Sequence, residues 1–343
     1  MNKKLIIVLL IIFSILPFFL KRNDYNDITN IIHINSIGIN YNKELNEFEC
    51  YFYILNNFNV VNSKISSSNI DNLAYIIKTN NDSLDNALND IYTKINSKIN
   101  FSHLKSVIFT IDFLSSNNII KFYDYIKNNT SFYYNFYIFT TKSNLNNLFN
   151  INNFSDISAY HTVILRPDLI NTYHLVTYND YTNIILNKDY TLLIPNIDVL
   201  EDSFYKQDKP HNILEINGYS SFNNKVYQTT IFTNELSYYK WLMSLSDEHI
   251  LIDIYNLYIK NGKYKVYKKN KNIFISYTIS AILLNNPNNE KLVDLENKIS
   301  YLIKREIYNL YNDMNYKNID VFNIKYLYKN PYNITIKINF ELN

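Results

Sequence analysis

Glycine is almost absent from this chain of 343 residues, which contains only Gly38, Gly218 and Gly262. The phosphate-binding loops of P-loop and dinucleotide-binding proteins need several closely spaced glycines, and so does the nucleophile elbow of α/β hydrolases. Glycine serves there because it adopts positive φ and lets the backbone approach a phosphate closely. Three scattered glycines therefore exclude the common nucleotide-binding motifs and the α/β-hydrolase elbow.

Cysteine is equally scarce, since Cys50 is the only one and no internal disulfide can form. Cys50 lies in an apolar, strand-like run, and we predict that it is a small buried hydrophobic residue. An exported protein without disulfides fits a bacterial envelope better than a eukaryotic secretory route.

An excess of either charge is also missing, because 33 basic and 31 acidic residues leave a formal net charge of +2. This balance gives no reason to expect a nucleic-acid partner. The basic runs at 268–271 and 304–305 have two interpretations. They contact anionic lipid or a protein partner, or they are a solvated hairpin end and a solvated helix face.

The sequence shows no converging set of catalytic or metal-binding groups. Metal ligation needs several suitably spaced ligands, and no two histidines lie four residues apart on a predicted helix. His103 precedes a predicted strand and is expected to hydrogen-bond at a loop junction. The pairs Glu201-Asp202 and Asp247-Glu248 are interpreted as solvated loop charge, since paired catalytic carboxylates must face one pocket. We predict no enzyme activity and no catalytic, cofactor-binding or metal site. The six histidines are His33, His103, His161, His174, His211 and His249.

The longest apolar run is Leu5–Leu20, which is preceded by Lys3 and Lys4 and followed by Lys21 and Arg22. A basic segment before an apolar core is typical of an export signal. At about 1.5 Å per residue the run gives a helix of roughly 24 Å, short of the ~30 Å hydrocarbon layer. It is a signal peptide or a marginal membrane anchor, and the absence of a small-residue cleavage site favours an uncleaved anchor. The alternative is a helix buried in the core.

Alternating apolar residues predict strands in the N-terminal half of the chain. The residue patterns there give a hairpin of 30–40 and 46–60 with its turn at Asn40–Lys43, and a helix capped by Ser83. Leu104–Phe113, Asn117–Asn128 and Phe132–Thr140 follow as strand, helix and strand, which predicts a right-handed βαβ unit. A short helix is predicted from Lys142, and the pattern weakens between 150 and 210.

The last third has clearer periodicity. The predicted elements are a hairpin around Asn223-Asn224, a helix capped by Thr233, an antiparallel meander over 249–284 with Asn261-Gly262 as its turn, a long helix at 290–314, and strands at 321–327 and 333–340. Trp241, on the helix after Thr233, is either an interface anchor or a core residue.

These elements predict an α+β protein of several domains, with mixed β-sheets each flanked by helices. The predicted ranges are 1–22 for the signal or anchor helix, 23–205 for the hairpin and βαβ unit in one or two subdomains, and 206–343 for a C-terminal domain. In that domain an antiparallel sheet packs against the long helix 290–314.

Short motifs in the same order resemble the Ger(x)C family, the C subunit of bacterial nutrient germinant receptors in spores. Asn26-Asp27 and Ile37-Gly38-Ile39 are similar to the N-D and I-G-I elements near that family's mature N-terminus. Three further segments resemble the family: its H-L-K strand at Ser102–Ile108, its hairpin and aromatic-bearing helix at Asn224–Trp241 with Thr233 and Glu235, and its ending at Lys317–Phe322.

The resemblance implies three mixed domains and a non-enzymatic receptor subunit. It would lie on the outer face of the spore inner membrane, beside integral-membrane A and B subunits, and act in nutrient-triggered germination through protein contacts. Family members are usually acylated at a cysteine, but the equivalent position here falls near Phe19, and Cys50 is far downstream. We expect the uncleaved segment 5–20 to replace the lipid. The rival interpretations are an anchored envelope hydrolase and an extracytoplasmic ligand-binding module.

Overall fold

The computed structural model describes residues 31–55, 74–151, 175–206, 209–232, 241, 247–329 and 333–342. Within these ranges the chain forms two β-sheets packed with helices, which is an α+β fold. The predicted segment 1–22 lies outside the described residues, as do the Asn26-Asp27 motif and the residues around Thr233.

The first sheet begins with three antiparallel strands, β1 (Ile31–Asn42), β2 (Glu47–Leu55) and β3 (Ala74–Asn81). The predicted hairpin is therefore confirmed, with its turn at 43–46 rather than at Asn40–Lys43. Asn42 holds this turn, because its side-chain oxygen accepts hydrogen bonds from the backbone N–H groups of Glu44 and Leu45.

The centre of the first sheet is parallel. Its elements are α1 (Leu84–Asn89), α2 (Ile91–Lys94), β4 (Lys98–Asn100), β5 (Ser106–Thr110), α3 (Ile111–Ser115), α4 (Ile119–Asn128) and β6 (Tyr137–Thr141). β5 pairs in parallel with both β1 and β6, so the predicted βαβ unit is confirmed. The prediction extended the first strand to Phe113, which is wrong, because the Thr110 hydroxyl accepts from the Phe113 N–H and starts α3 at Ile111.

The same sheet continues through α5 (Leu145–Phe149), β7 (Val176–Thr177), α6 (Tyr178–Leu186), β8 (Thr191–Lys206), β9 (Lys209–Asn223) and β10 (Val226–Phe232). The strand order is β10-β9-β8-β6-β5-β1-β2-β3, with β4 beside β1 and β7 beside β6. The division predicted at residue 205 falls inside the last residues of β8, where Tyr205 pairs with Pro210 of β9. The domain ranges stay a prediction. Helix α6 was not predicted, although its Thr177–Asp180 capping box is a recognisable start signal.

The second sheet has the order β11-β12-β13-β14. Its elements are β11 (Glu248–Ile252), β12 (Tyr255–Lys269), β13 (Asn272–Leu283), α7 (Leu292–Tyr316), α8 (Ile324–Tyr328) and β14 (Asn333–Leu342). The predicted antiparallel pairing is confirmed for β11, β12 and β13 but is wrong for β14, which pairs with β13 in parallel because the connection through α7 returns the chain in the same direction. The turn predicted at Asn261-Gly262 is wrong, because β12 runs straight through it. The pairing of β12 with β13 shifts between Ile259 and Asn261, so this segment is a β-bulge. A bulge inserts one unpaired residue and moves the buried positions of the strand to the other parity.

Helix α7 confirms the predicted long helix, and seven of the eight predicted stripe residues are buried, whereas Leu292 is 57% exposed. Burial of each such side chain contributes about 1.5–3 kcal/mol. The strand predicted at 321–327 is wrong, because α8 begins there. The Asp320 carboxylate accepts hydrogen bonds from the N–H groups of Ile324 and Lys325, which favours a helical turn.

Trp241 belongs to the core of the second sheet and is fully buried, which confirms the core interpretation. Its indole N–H donates to a Glu306 carboxylate oxygen, and its carbonyl accepts from the Tyr277 hydroxyl at 2.5 Å. The two sheets also touch, since Asn323 exchanges two hydrogen bonds with the Thr191 backbone at 2.7 and 3.1 Å.

Asparagine and aspartate occupy the left-handed turn positions that glycine fills in most proteins. Among the described residues, positive φ values occur at Asn or Asp in eleven of thirteen non-glycine positions, and the other two are Lys225 and Lys329. Asn and Asp tolerate this conformation because their short polar side chains hydrogen-bond locally. None of the described glycines has a positive φ, and at Gly38 and Gly218 an added Cβ atom would collide with neighbouring atoms.

Cys50 is fully buried in β2, as predicted, and burial raises the pKa of its thiol well above the ordinary value, with Asp90 and Glu49 adding to the effect. Because the thiolate is the reactive form, we expect no modification by iodoacetamide in the native protein. Stoichiometric alkylation is expected after unfolding in urea. Mass spectrometry of the intact chain measures both, and rapid alkylation of the native protein would contradict the prediction.

Candidate functional site

A polar crevice of about 420 Å³ lies at the carboxyl ends of β1, β5 and β6. The helices after β5 and β6 cover opposite faces of the sheet. Phe113 of α3 packs with Phe109 on one face, while Leu145 of α5 packs with Ile108 on the other. Ligands of open α/β sheets bind at such a switch point, outside the carboxyl ends of the strands. The crevice is lined by Asn40, Glu49, Tyr51, Thr110, Ile111, Asp112, Lys142, Ser143, Asn144 and Leu145.

Gly38 allows α5 to lie directly against β1 below this crevice. A Cβ atom at Gly38 would lie 2.8 Å from Leu145 Cδ2 and 2.9 Å from Phe149 Cε2. Close approach of a helix to a strand is one of the uses of glycine that need no positive φ. The glycine of the Ile37-Gly38-Ile39 triplet thus sets the depth of the crevice.

Asp198, on β8, fixes the loop between β6 and α5. Its Oδ1 accepts hydrogen bonds from the Thr141 hydroxyl at 3.0 Å, the Lys142 N–H at 2.8 Å, and the Ser143 N–H and hydroxyl at 3.1 and 3.2 Å. Its Oδ2 accepts from the side-chain amides of Asn196 at 2.7 Å and Asn217 at 3.1 Å. Six donors on one half-buried carboxylate hold one wall of the crevice in place.

Glu49 holds the opposite wall. Its carboxylate accepts from Lys78 Nζ at 2.7 Å and from Asn40 Nδ2 at 2.9 Å, and the side-chain Oδ1 of Asn40 accepts from the Thr110 hydroxyl at 2.6 Å. Burial opposes ionisation of Glu49, but the hydrogen bonds from Lys78 and Asn40 outweigh it and hold the pKa of the carboxyl below its usual value. The Glu49 carboxylate is therefore ionised at neutral pH and forms an ion pair with Lys78.

The crevice offers charges of both signs but no nucleophile–base pair. Lys142 contributes an ammonium group, which lies 4.0 Å from the Phe232 ring centroid, and Asp112 contributes an exposed carboxylate paired with Lys43 at 2.9 Å. The lining contains no histidine or cysteine, and the Ser143 hydroxyl donates to Asp198 rather than to a base. The groups present suit binding of a polar molecule or a protein segment.

The structure brings together two histidines that are 70 residues apart in the chain. The rings of His33 and His103 are stacked with centroids 4.1 Å apart, a contact that no local sequence pattern predicts. Of the other histidines, His249 packs against Tyr258, and His161 and His174 lie outside the described residues. The described residues contain no group of three His, Cys, Asp or Glu side chains placed to hold a metal.

Burial lowers the pKa of His33, and the nearby His103 lowers it further. As the pH falls, the unfolded chain therefore protonates His33 before the folded chain does. The contribution of neutral His33 to the free energy of unfolding is present above the ordinary pKa of 6.5 and is lost as the pH falls below it. We expect the urea midpoint to drop between about pH 7.5 and about pH 5.5, with a smaller drop in His33→Gln. His249→Gln is the matched control. An unchanged pH dependence in His33→Gln would contradict this assignment.

None of the helices within the described ranges combines the length and the apolar character needed to cross a membrane. The acidic pair Glu201-Asp202 is exposed, as predicted, although it lies in β8 rather than in a loop. Asp247 accepts a hydrogen bond from the Tyr258 hydroxyl. Neither pair reaches the crevice.

Comparison with known proteins gives one family and one similar structure. The family model described as "Spore germination protein N-terminal domain" matches residues 24–199, which is about half of the chain. The crystal structure of the GerBC protein is similar, with 13% identity, a TM-score of 0.45, and coverage of 89% of this chain and 96% of that one. No curated protein matches significantly. The match includes β1 to β6, the strands whose ends form the crevice. The chain therefore belongs to the Ger(x)C family of spore germination proteins.

Proposed function

We propose that this chain is a non-enzymatic C subunit of a spore germinant receptor. It is anchored on the outer face of the spore inner membrane and acts in nutrient-triggered germination through contacts with the integral-membrane A and B subunits. The family match over residues 24–199 carries the proposal. The crevice supports the proposal, because its polar groups hydrogen-bond to one another. The Ser143 hydroxyl donates to Asp198, whereas a hydrolase needs a nucleophile that donates to a general base.

Deletion and co-purification test this function together. Spores without the chain are expected to lose nutrient-triggered germination, while germination by a non-nutrient trigger is retained. An affinity-tagged chain that restores germination should co-purify from detergent-solubilised spore membranes with multi-span proteins. Normal nutrient germination in the deletion strain would contradict the proposal. A restored response without any membrane partner would favour a stand-alone binding protein.

The proposed anchor is the uncleaved segment 5–20, in place of the lipid that family members carry. Full-length chain and a chain lacking residues 1–20 are expressed in the same cells and fractionated. The full-length chain should remain with the membrane after a carbonate wash, and the shortened chain should be released from it. A mature N-terminus near Lys21 on a protein released from the membrane would refute this anchor.

A ligand-binding module is the second candidate, and the crevice at the switch point favours it. Lys142 on one wall and Glu49 and Asp112 near the other offer both signs of charge, which complements a zwitterion such as a free amino acid. Thermal-shift titration of the chain with the standard amino acids tests this function. A shift that Lys142→Gln abolishes, while the exposed control Lys188→Gln keeps it, would support binding. The absence of any shift would exclude this class of ligand.

A further inference from the structure

The second sheet carries an unusually basic stretch. Residues 254–289 contain six lysines and no aspartate or glutamate, although the whole chain is nearly balanced at 33 basic and 31 acidic residues. This stretch forms β12, the turn after it and β13. Its charge is therefore concentrated on one hairpin.

The strand register places several of these lysines on one face. Helix α7 covers the face that carries Ile275, Tyr277 and Ile336, so the alternate residues lie on the opposite side. We call this side the outer face. Each cross-strand row on this face has one residue from β12, one from β13 and one from β14. From the β12–β13 turn inward, the four rows are Lys269, Asn272 and Asn333; Tyr267, Phe274 and Thr335; Lys265, Ser276 and Lys337; and Lys263, Thr278 and Asn339.

These four rows contain lysines, hydroxyls, amides and two aromatic rings, but no acidic residue. Glu341 lies one row further along, beyond Asn339. Lys265 and Lys337 flank Ser276 on either side, two strand spacings or about 9.6 Å apart. The positive charge thus comes from β12 and β14, the two strands on either side of β13.

Two aromatic rings on the outer face, Tyr267 and Phe274, contact the side chains of Lys265 and Lys337. Tyr267 and Phe274 are stacked with centroids 5.3 Å apart. The Lys337 ammonium lies 4.3 Å from the Phe274 centroid, and the Lys265 ammonium lies 5.6 Å from the Tyr267 centroid. Lysine stems lying along rings keep the charged ends at the surface. The arrangement presents cations together with a partly exposed tyrosine and phenylalanine.

We propose that the outer face docks on an anionic phospholipid surface. Charge complementarity selects an anionic partner, and lysines on two strands that flank a third suit a planar array of headgroups. The choice of a bilayer over a nucleic acid rests on the proposed function, because the apolar run 5–20 would hold the chain at a membrane. Each lysine near an anionic bilayer contributes about fivefold to the partition coefficient, so three contribute roughly a hundredfold.

Lysine footprinting of the full-length chain tests this docking. The chain is mixed with vesicles of phosphatidylcholine alone or with about 30 mol % phosphatidylglycerol, and acetylation of each lysine is followed by mass spectrometry. We expect Lys263, Lys265 and Lys337 to react at least about fivefold more slowly with the anionic vesicles. Lys127 and Lys188, which are exposed in the part of the chain that forms the first sheet, should not change, and about 0.5 M salt should remove the protection.

A variant pair controls for folding and for net charge. Lys263→Gln, Lys265→Gln and Lys337→Gln together should abolish the preference for anionic vesicles in sedimentation. The matched triple, Lys105→Gln, Lys127→Gln and Lys188→Gln, removes the same charge from the first sheet's part of the chain and should retain the preference. Equal reactivity of the outer-face lysines with both vesicle types overturns the proposal. Protection by single-stranded DNA at the same phosphate concentration, with none by the vesicles, overturns it in favour of a nucleic acid.

The test separates this inference from the proposed anchor. If the anchor holds, the full-length chain sediments with neutral and anionic vesicles alike, and only the footprint reports docking. If the anchor fails, the chain stays in solution with neutral vesicles and sediments with anionic ones through the outer face. Each proposal can therefore fail while the other stands.

Discussion

Asp198→Ala is expected to lower the free energy of unfolding by about 3 kcal/mol, because hydrogen bonds to a charged group contribute about 1.5–3 kcal/mol and their donors would lose the shared acceptor. The substitution removes the carboxylate that receives six donors from β6, α5's preceding loop, β8 and β9. Urea unfolding followed by circular dichroism measures the change. The loop at Lys142 and Ser143 should also exchange its amide hydrogens faster.

Asp112→Ala is the matched control, because it also removes a carboxylate beside the crevice. Asp112 pairs with Lys43 at 2.9 Å, but both side chains are more than half exposed. Exposed ion pairs contribute about 0–1 kcal/mol, so this variant should be nearly as stable as the original chain. Equal stability losses in the two variants would show that Asp198 does not fix the loop.

Gly218→Ala is expected to cost about 3 kcal/mol or more, since overpacking against atoms that cannot move is among the most destabilising changes. A Cβ atom at Gly218 would lie 2.2 Å from the Ile231 carbonyl oxygen and 3.0 Å from Phe232 Cα, both of them backbone atoms of β10. Strand β10 would have to move away from β9. Thermal and urea unfolding, with hydrogen exchange at β10, measure the effect.

Gly38→Ala gives the comparison within the same sheet. Its Cβ would meet the ends of the Leu145 and Phe149 side chains at 2.8 and 2.9 Å. Side-chain ends can rotate where backbone cannot, so the expected loss is about 1 kcal/mol. A greater loss at Gly38 than at Gly218 would contradict the distinction between backbone and side-chain contacts.

Elements with a strong local signal were predicted correctly. Ser83 accepts a hydrogen bond from the Asn86 N–H as an N-cap, and the stripe of α7 is buried apart from Leu292. The turn at Asn223-Asn224 also agrees, with positive φ at Asn224 and Lys225. These features depend on residues within about one or two turns of each other, so spacing alone defines them.

The candidate site could not be predicted in the same way. The crevice walls come from β1, β2, β5, β6 and the loops after them, which the sheet order brings together. Asp198 lies more than 50 residues from the loop that it holds, and no motif precedes it. The wrong prediction at Asn261-Gly262 has the same cause. Asn-Gly is a strong local signal for a hairpin turn, but the pairing of β12 with β13 makes this segment a β-bulge.

The sequence by itself determined the α+β class, the long amphipathic helix, the burial of Cys50 and the family resemblance, since each depends on local spacing or on ordered motifs. Tertiary structure alone decided the crevice, the His33–His103 stack and the basic outer face, because those groups meet only through strand register and sheet order. Register is set by long-range pairing, and a shift of one residue would turn every lysine of the outer face toward the core.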